Sequence, residues 1–87
     1  MDLQNYREQI DAIDDQLLQL FKERMSLARQ IALYKKAHNL PILDAAREAD
    51  KLTVIEEKAG GELSPYSRKL YALIFELSRA YQEGFIK

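Results

Sequence analysis

The chain has 87 residues, 13 basic and 14 acidic side chains, a formal net charge of −1, no Cys and a single His, His38. That length suits one domain spanning 1–87, the spread of balanced charge lacks the electrostatic footprint of a nucleic-acid binder, and the Cys and His counts argue against a disulfide framework or a zinc site. No apolar run approaches the ~20 residues of a membrane span, and the opening MDLQNYREQID lacks the basic start and apolar stretch of a signal peptide, so a cytoplasmic protein is expected.

The three Gly and two Pro are clustered, with Pro41 interrupting one helical pattern and Gly60, Gly61, Ser64 and Pro65 interrupting a second. Between these breaks Leu, Ala, Glu, Lys, Arg and Gln dominate, all good helix formers, and no stretch alternates with period two. The expected fold class is all-α, with three helices and no strands.

The first helix is expected from about Leu3 to Ala37, with Asp2 as its N-cap. Lys35, Lys36 and His38 crowd its end, where positive charge suits the helix dipole. Asn39 is placed to take the left-handed conformation beyond the end, and Pro41 enforces the stop. The second helix is expected from about Asp44 to Lys58, ended by Gly60 or Gly61. The third opens with Ser64 as N-cap and Pro65 at the first helical position, and runs to about Phe85.

The first helix is too long for its domain. At 1.5 Å per residue it spans roughly 50 Å, whereas a compact chain of this length is only about 30 Å across. Yet its apolar stripe is continuous through Leu3, Tyr6, Ile10, Ile13, Leu17, Leu20, Leu27, Ile31 and Tyr34. A stripe of that length left in water would promote aggregation, and a second copy of the chain is the simplest cover. With no Cys and no metal ligands, oligomerisation is also the remaining reinforcement for so small a core. An intertwined homodimer is therefore expected.

Charged residues interrupt these stripes. In steps of seven the first helix reads Leu3, Ile10, Leu17, Arg24, Ile31, so Arg24 occupies an aliphatic slot. Lys35 lies eleven residues further on, about 20° away around the helix. A buried cation without a partner costs several kcal/mol, so an anion is expected beside them. On the second helix Glu48 shares the face of Ala45, Leu52, Ile55 and Ala59. On the third, Ser78 and Gln82 continue the row Tyr71, Phe75.

Each residue has an ordinary alternative. Arg24 and Arg47 suit solvated surfaces, Lys35 a helix C-terminus, and Asp44 an N-cap. Glu48 suits an internal ion pair with Arg24 or Lys35, Ser78 a bond back to its own helix, Gln82 an exposed position near a fraying end, and Arg7 a surface pair with Asp11. Taken together, however, two cations, a carboxylate and a neutral amide point at shared apolar ground, the pattern of a small dry pocket for an anionic, hydroxylated ligand. Arg7 lies roughly 42 Å along a straight helix from Lys35, beyond reach in one chain, but an antiparallel partner can bring it close.

Three blocks carry a resemblance. YREQIDAIDDQLLQLFKER, at residues 6–24, has an Arg, then Ile-Asp, then a Leu-rich run closing in Glu-Arg. Lys35 followed by LPILDAAREAD sets Pro41, Asp44, Arg47 and Glu48 at fixed spacing. LIFELSRAYQ places Ser78 one turn before Gln82. In this order, over nearly the whole chain, the sequence resembles the all-α chorismate mutases. The resemblance implies an enzyme without cofactor or metal that rearranges chorismate to prephenate in aromatic amino-acid biosynthesis, as a homodimer with two shared sites. It implies that Arg24 pairs with one substrate carboxylate, and Arg7 from the partner subunit with the other. Lys35 and Gln82 would bond the ether oxygen, Glu48 would accept from the ring hydroxyl, and Asp44, Arg47 and Ser78 would line the pocket.

Rival readings remain at this level. A lyase on the same scaffold, releasing pyruvate from isochorismate, has similar pocket chemistry. A helical interaction module would use the charges only to fix dimer register. A non-catalytic regulatory copy, fused to or associated with another aromatic-pathway enzyme, is the third.

Overall fold

Short polar residues and glycines set the element boundaries. The Asp2 carboxylate accepts the Asn5 N–H at 2.9 Å, and the first helix, α1, runs Leu3–Ala37. Its end is closed by Asn39 in the left-handed region at φ 55°, which lets the Leu40 N–H turn back to the Lys35 carbonyl at 2.8 Å. The His38 ring stacks on Tyr34 with centroids 4.0 Å apart. Asp44 accepts the Arg47 N–H at 3.1 Å and starts α2, Ala45–Ala59. Gly60 and Gly61 then take φ values of 61° and 54°, a conformation that side chains with a Cβ rarely adopt. A single 3₁₀ turn, Gly61–Leu63, leads into α3, Ser64–Glu83. The computed structural model describes residues 2–86, and every regular element among these is helical, without strands.

Two boundaries differ from expectation. Ser64 is not a capping residue: the 3₁₀ turn feeds directly into α3, Ser64 is already helical, and its hydroxyl donates to the Glu56 carbonyl of α2 at 3.2 Å. The helix therefore uses Leu63 at the cap position and keeps Pro65 in its first turn. At the other end α3 stops at Glu83, short of Phe85. From Gly84 onward the N–H groups reach back three residues rather than four, to Tyr81, Gln82 and Glu83, a tighter winding typical of fraying ends.

α3 is the central element, packed on both α2 and the C-terminal half of α1. The face it buries is the row Phe75, Ser78, Gln82, flanked by half-buried Tyr71 and Phe85. Facing it, α1 buries Ala28 and Ala32, the latter fully (0% exposed), with half-buried Phe21, Arg24, Met25 and Lys35 at three- and four-residue steps. Two alanines on the contact line allow the helix axes to approach closely.

The N-terminal half of α1 is left uncovered by its own chain. Residues 2–20 are exposed throughout, and the apolar stripe from Leu3 (62% exposed) to Tyr34 (59%) stays in water. Leu70, Leu73, Leu77 and Tyr81 on α3 are exposed as well. The molecule measures 54 × 25 × 14 Å with a radius of gyration of 16.1 Å, against about 12 Å for a compact domain of this length. The buried hydrophobic core of the described chain is only Ala28, Ala32, Ile42 and Phe75, too little to stabilise a domain alone.

Because Ala32 has no free space around it, Ala32→Leu should overpack the α1–α3 contact. The expected cost is about 1–3 kcal/mol, read from the midpoint of chemical denaturation. An unchanged midpoint would contradict the close contact.

Candidate active site

The α1–α3 contact continues into a cavity of about 290 Å³ between the three helices, close to the lower end of the range for small-molecule sites. α1 contributes Arg24, Leu27, Ala28, Ile31 and Lys35. The α1–α2 connection contributes Ile42 and Asp44, and α2 adds Arg47, Glu48 and Lys51. α3 contributes Phe75, Ser78, Arg79 and Gln82. Of the residues singled out from sequence, Arg24, Lys35, Asp44, Arg47, Glu48, Ser78 and Gln82 all line this one space. Arg7 does not. It lies on the exposed N-terminal half of α1.

Arg24, Lys35 and Gln82 are held by neutral acceptors. Arg24 donates from Nη1 to Ser78 Oγ at 2.7 Å, and its guanidinium carbon lies 5.5 Å from the centre of the Phe75 ring. The Ser78 hydroxyl points on toward Met25 Sδ at 3.8 Å rather than back into its own helix. Lys35 Nζ donates to the Ile42 carbonyl at 2.9 Å, tying the α1–α2 connection to the end of α1. Gln82 is buried, not exposed near a fraying end, and its Nε2 donates to the Ala28 carbonyl at 3.0 Å.

Glu48 does not pair with Arg24 or Lys35. Its Oε1 accepts from Arg79 Nη1 on α3. That is the one ion pair in the cavity among the described residues. Among the described residues, Arg24, Lys35, Arg47 and Lys51 have no carboxylate oxygen within 4.0 Å. Five basic groups thus stand against two carboxylates, Asp44 and Glu48, for a net charge of +3 around the space. The Asp44 carboxylate is engaged by the Arg47 backbone N–H.

Lys51 and Arg79 also line the cavity and were not singled out from the sequence. Lys51 continues the progression Asp44, Arg47, Glu48 by a further helical turn, so spacing alone contained its signal. Arg79 follows Ser78 directly, about 100° around the helix from the buried row. A row-by-row reading leaves it at the surface, and only its long side chain brings it back to the rim.

The family model for chorismate mutase type II matches residues 6–83. The chain belongs to that family. A chorismate mutase from Methanocaldococcus jannaschii is 28% identical over 88 residues, covering 98% of this chain and 88% of the relative. A bifunctional chorismate mutase/prephenate dehydratase from Enterobacter agglomerans is 34% identical over 83 residues, 93% of this chain. A T-protein from Haemophilus influenzae is 39% identical over 61 residues, 67% of this chain. The chain spans only 21% and 16% of the length of these last two. No solved structure matches the chain significantly. The long first helix and all-helical architecture are those expected from the sequence, and they are consistent with this family's fold.

In this chorismate mutase fold the Ala28 carbonyl keeps its helical N–H partner from Ala32 as well as Gln82. Removing the amide therefore leaves no orphaned group. Gln82→Leu should change stability by no more than about 1 kcal/mol, measured by denaturation. A larger loss would make Gln82 a structural rather than a site residue.

Proposed function

We propose that the chain is a chorismate mutase in activity as well as family, converting chorismate to prephenate in aromatic amino-acid biosynthesis. The observation that carries this reading is the set of cations around the cavity without carboxylate partners. A small space with net positive charge, apolar walls and one neutral amide suits a compact dianion with an ether and a hydroxyl.

The reaction is an intramolecular rearrangement. The C–O bond of the enolpyruvyl ether breaks while a C–C bond forms, and no atom is gained or lost. It requires no nucleophile or proton relay and, in this reading, no cofactor. Catalysis then consists of two things. The flexible side arm must be folded over the ring, which Arg clamps on the two carboxylates achieve. Negative charge developing on the ether oxygen must be stabilised, and donors fixed in advance bind that charge more strongly in the transition state than in the ground state.

In the proposed arrangement Arg24 leaves Ser78 for a substrate carboxylate or shares it, while Lys35 and Gln82 donate to the ether oxygen. Glu48 accepts from the ring hydroxyl. Asp44, Arg47 and Ser78 complete the walls. The second carboxylate clamp is Arg7 of an antiparallel partner subunit. Support for that partner is the uncovered apolar length of α1, which a second copy would bury. The bifunctional chorismate mutase/prephenate dehydratase relative supports association of this domain with other enzymes of the pathway. No helix among the described residues is long and apolar enough to cross a membrane, and we place the activity in the cytoplasm.

Adding purified protein to chorismate and following the loss of its ultraviolet absorbance, with product identification, tests the reading. Prephenate is expected. Pyruvate from isochorismate without prephenate would replace it with the lyase, and neither activity in a folded protein would leave a helical interaction module. Arg24→Ala should lower kcat/KM by about a hundredfold to a thousandfold with an unchanged helical circular dichroism spectrum, and near-normal turnover would remove Arg24 from the site.

Mixing inactive Arg7→Ala and Arg24→Ala subunits should restore part of the activity, because one of the two sites in each hybrid would be intact. No recovery after verified subunit exchange would refute a shared site.

A further inference from the structure

We propose that Arg79 is a positioning residue that holds Glu48 in place and keeps its carboxylate away from the cations meant for the substrate. The proposal rests on the reading above, in which Glu48 accepts from the substrate's hydroxyl.

Glu48 stands on the first turn of α2 in a wall shared with Arg24, Lys35, Arg47 and Lys51. A carboxylate in such company has several attractive partners. Lys51 is three residues further along the same helix, a spacing that commonly forms an ion pair. Glu48 forms none with any of these four. Its Oε1 is taken by Arg79 from α3, while Oε2 has no hydrogen bond to any described residue. The two side chains are only 30% (Arg79) and 25% (Glu48) exposed, so the pair is screened less than a surface ion pair.

Two consequences follow from that geometry. One oxygen is anchored and the other remains open to accept a hydroxyl. The cations also stay uncompensated, because the carboxylate best placed to neutralise them is bound elsewhere. Arg79 is suited to this task by its planar, fixed fork of donors, which sets the direction of a carboxylate. Losing Arg79 would free Glu48 to turn toward Lys51 or the other cations, where it would compete directly with an anionic substrate.

Steady-state kinetics on chorismate with Arg79→Met, Arg79→Lys, Glu48→Gln and the Arg79→Met/Glu48→Gln double variant test this, each checked for helical content. Arg79→Met should raise KM by about tenfold to a hundredfold with a smaller change in kcat, and Arg79→Lys should recover part of the loss. In the Glu48→Gln background, adding Arg79→Met should have little further effect, because its route of action is already gone. If the two losses multiply, or if Arg79→Met lowers only the denaturation midpoint and leaves KM unchanged, Arg79 does not act through Glu48. If Glu48→Gln itself turns over chorismate normally, the role of Glu48 fails, and with it the reason for holding it.

Discussion

The close approach of α3 to α1 at Ala28 and Ala32 is the constraint on which the rest depends. With no bulk at those positions, the Phe75–Ser78–Gln82 row of α3 lies directly on α1. Two cross-helix bonds follow from it: Arg24 to Ser78 at 2.7 Å and Gln82 to the Ala28 carbonyl at 3.0 Å. A larger residue at either alanine would push the row outward and part both pairs. The cavity adjoins this contact, with Ala28, Phe75, Ser78 and Gln82 in its lining, and α2 closes the third side.

The cavity's electrostatics follow from which acceptors hold its donors. Arg24 rests on a hydroxyl, and Lys35 and Gln82 rest on backbone carbonyls. Neutral acceptors fix direction without cancelling charge, and an incoming anion forms stronger, charge-assisted bonds than those it displaces. Had Glu48 paired with Arg24 or Lys35, a ligand would first have had to break an ion pair. Its partner on α3 avoids that cost and leaves the walls positive.

Much of this was legible from residue order. Helix lengths followed from Pro41, Gly60 and Gly61, and the caps at Asp2 and Asp44 from side chains able to accept an N–H. Arg24 and Lys35 were visible because they sit where an apolar seam should continue. Ser78 and Gln82 stood out less from composition than from their place in the row with Tyr71 and Phe75. Ser64 was misread because capping chemistry depends on the preceding backbone. A 3₁₀ turn already occupied that place, which local propensity does not reveal. The partner of Glu48 was misread for a different reason. Charge complementarity says that a carboxylate will find a cation, but with five basic groups around one cavity only the packing of α2 on α3 selects Arg79. The assignments of individual residues to substrate atoms came from family resemblance, and the geometry brings all of those residues except Arg7 to one cavity.

The bond from Lys35 to the Ile42 carbonyl spans the turn at Asn39 and ties the segment before Asp44 to the end of α1. The same ammonium faces the cavity. An ammonium has three donors, so it can keep this tether while offering the others to a ligand. The entry of the second helix and the seat of the bound molecule therefore share one support. With Lys35 in the role proposed for it, loss of that charge would act twice, once on the chemistry and once on the set of α2 that carries Arg47, Glu48 and Lys51. Kinetic effects measured at Lys35 report on the shape of the whole wall as much as on a single hydrogen bond.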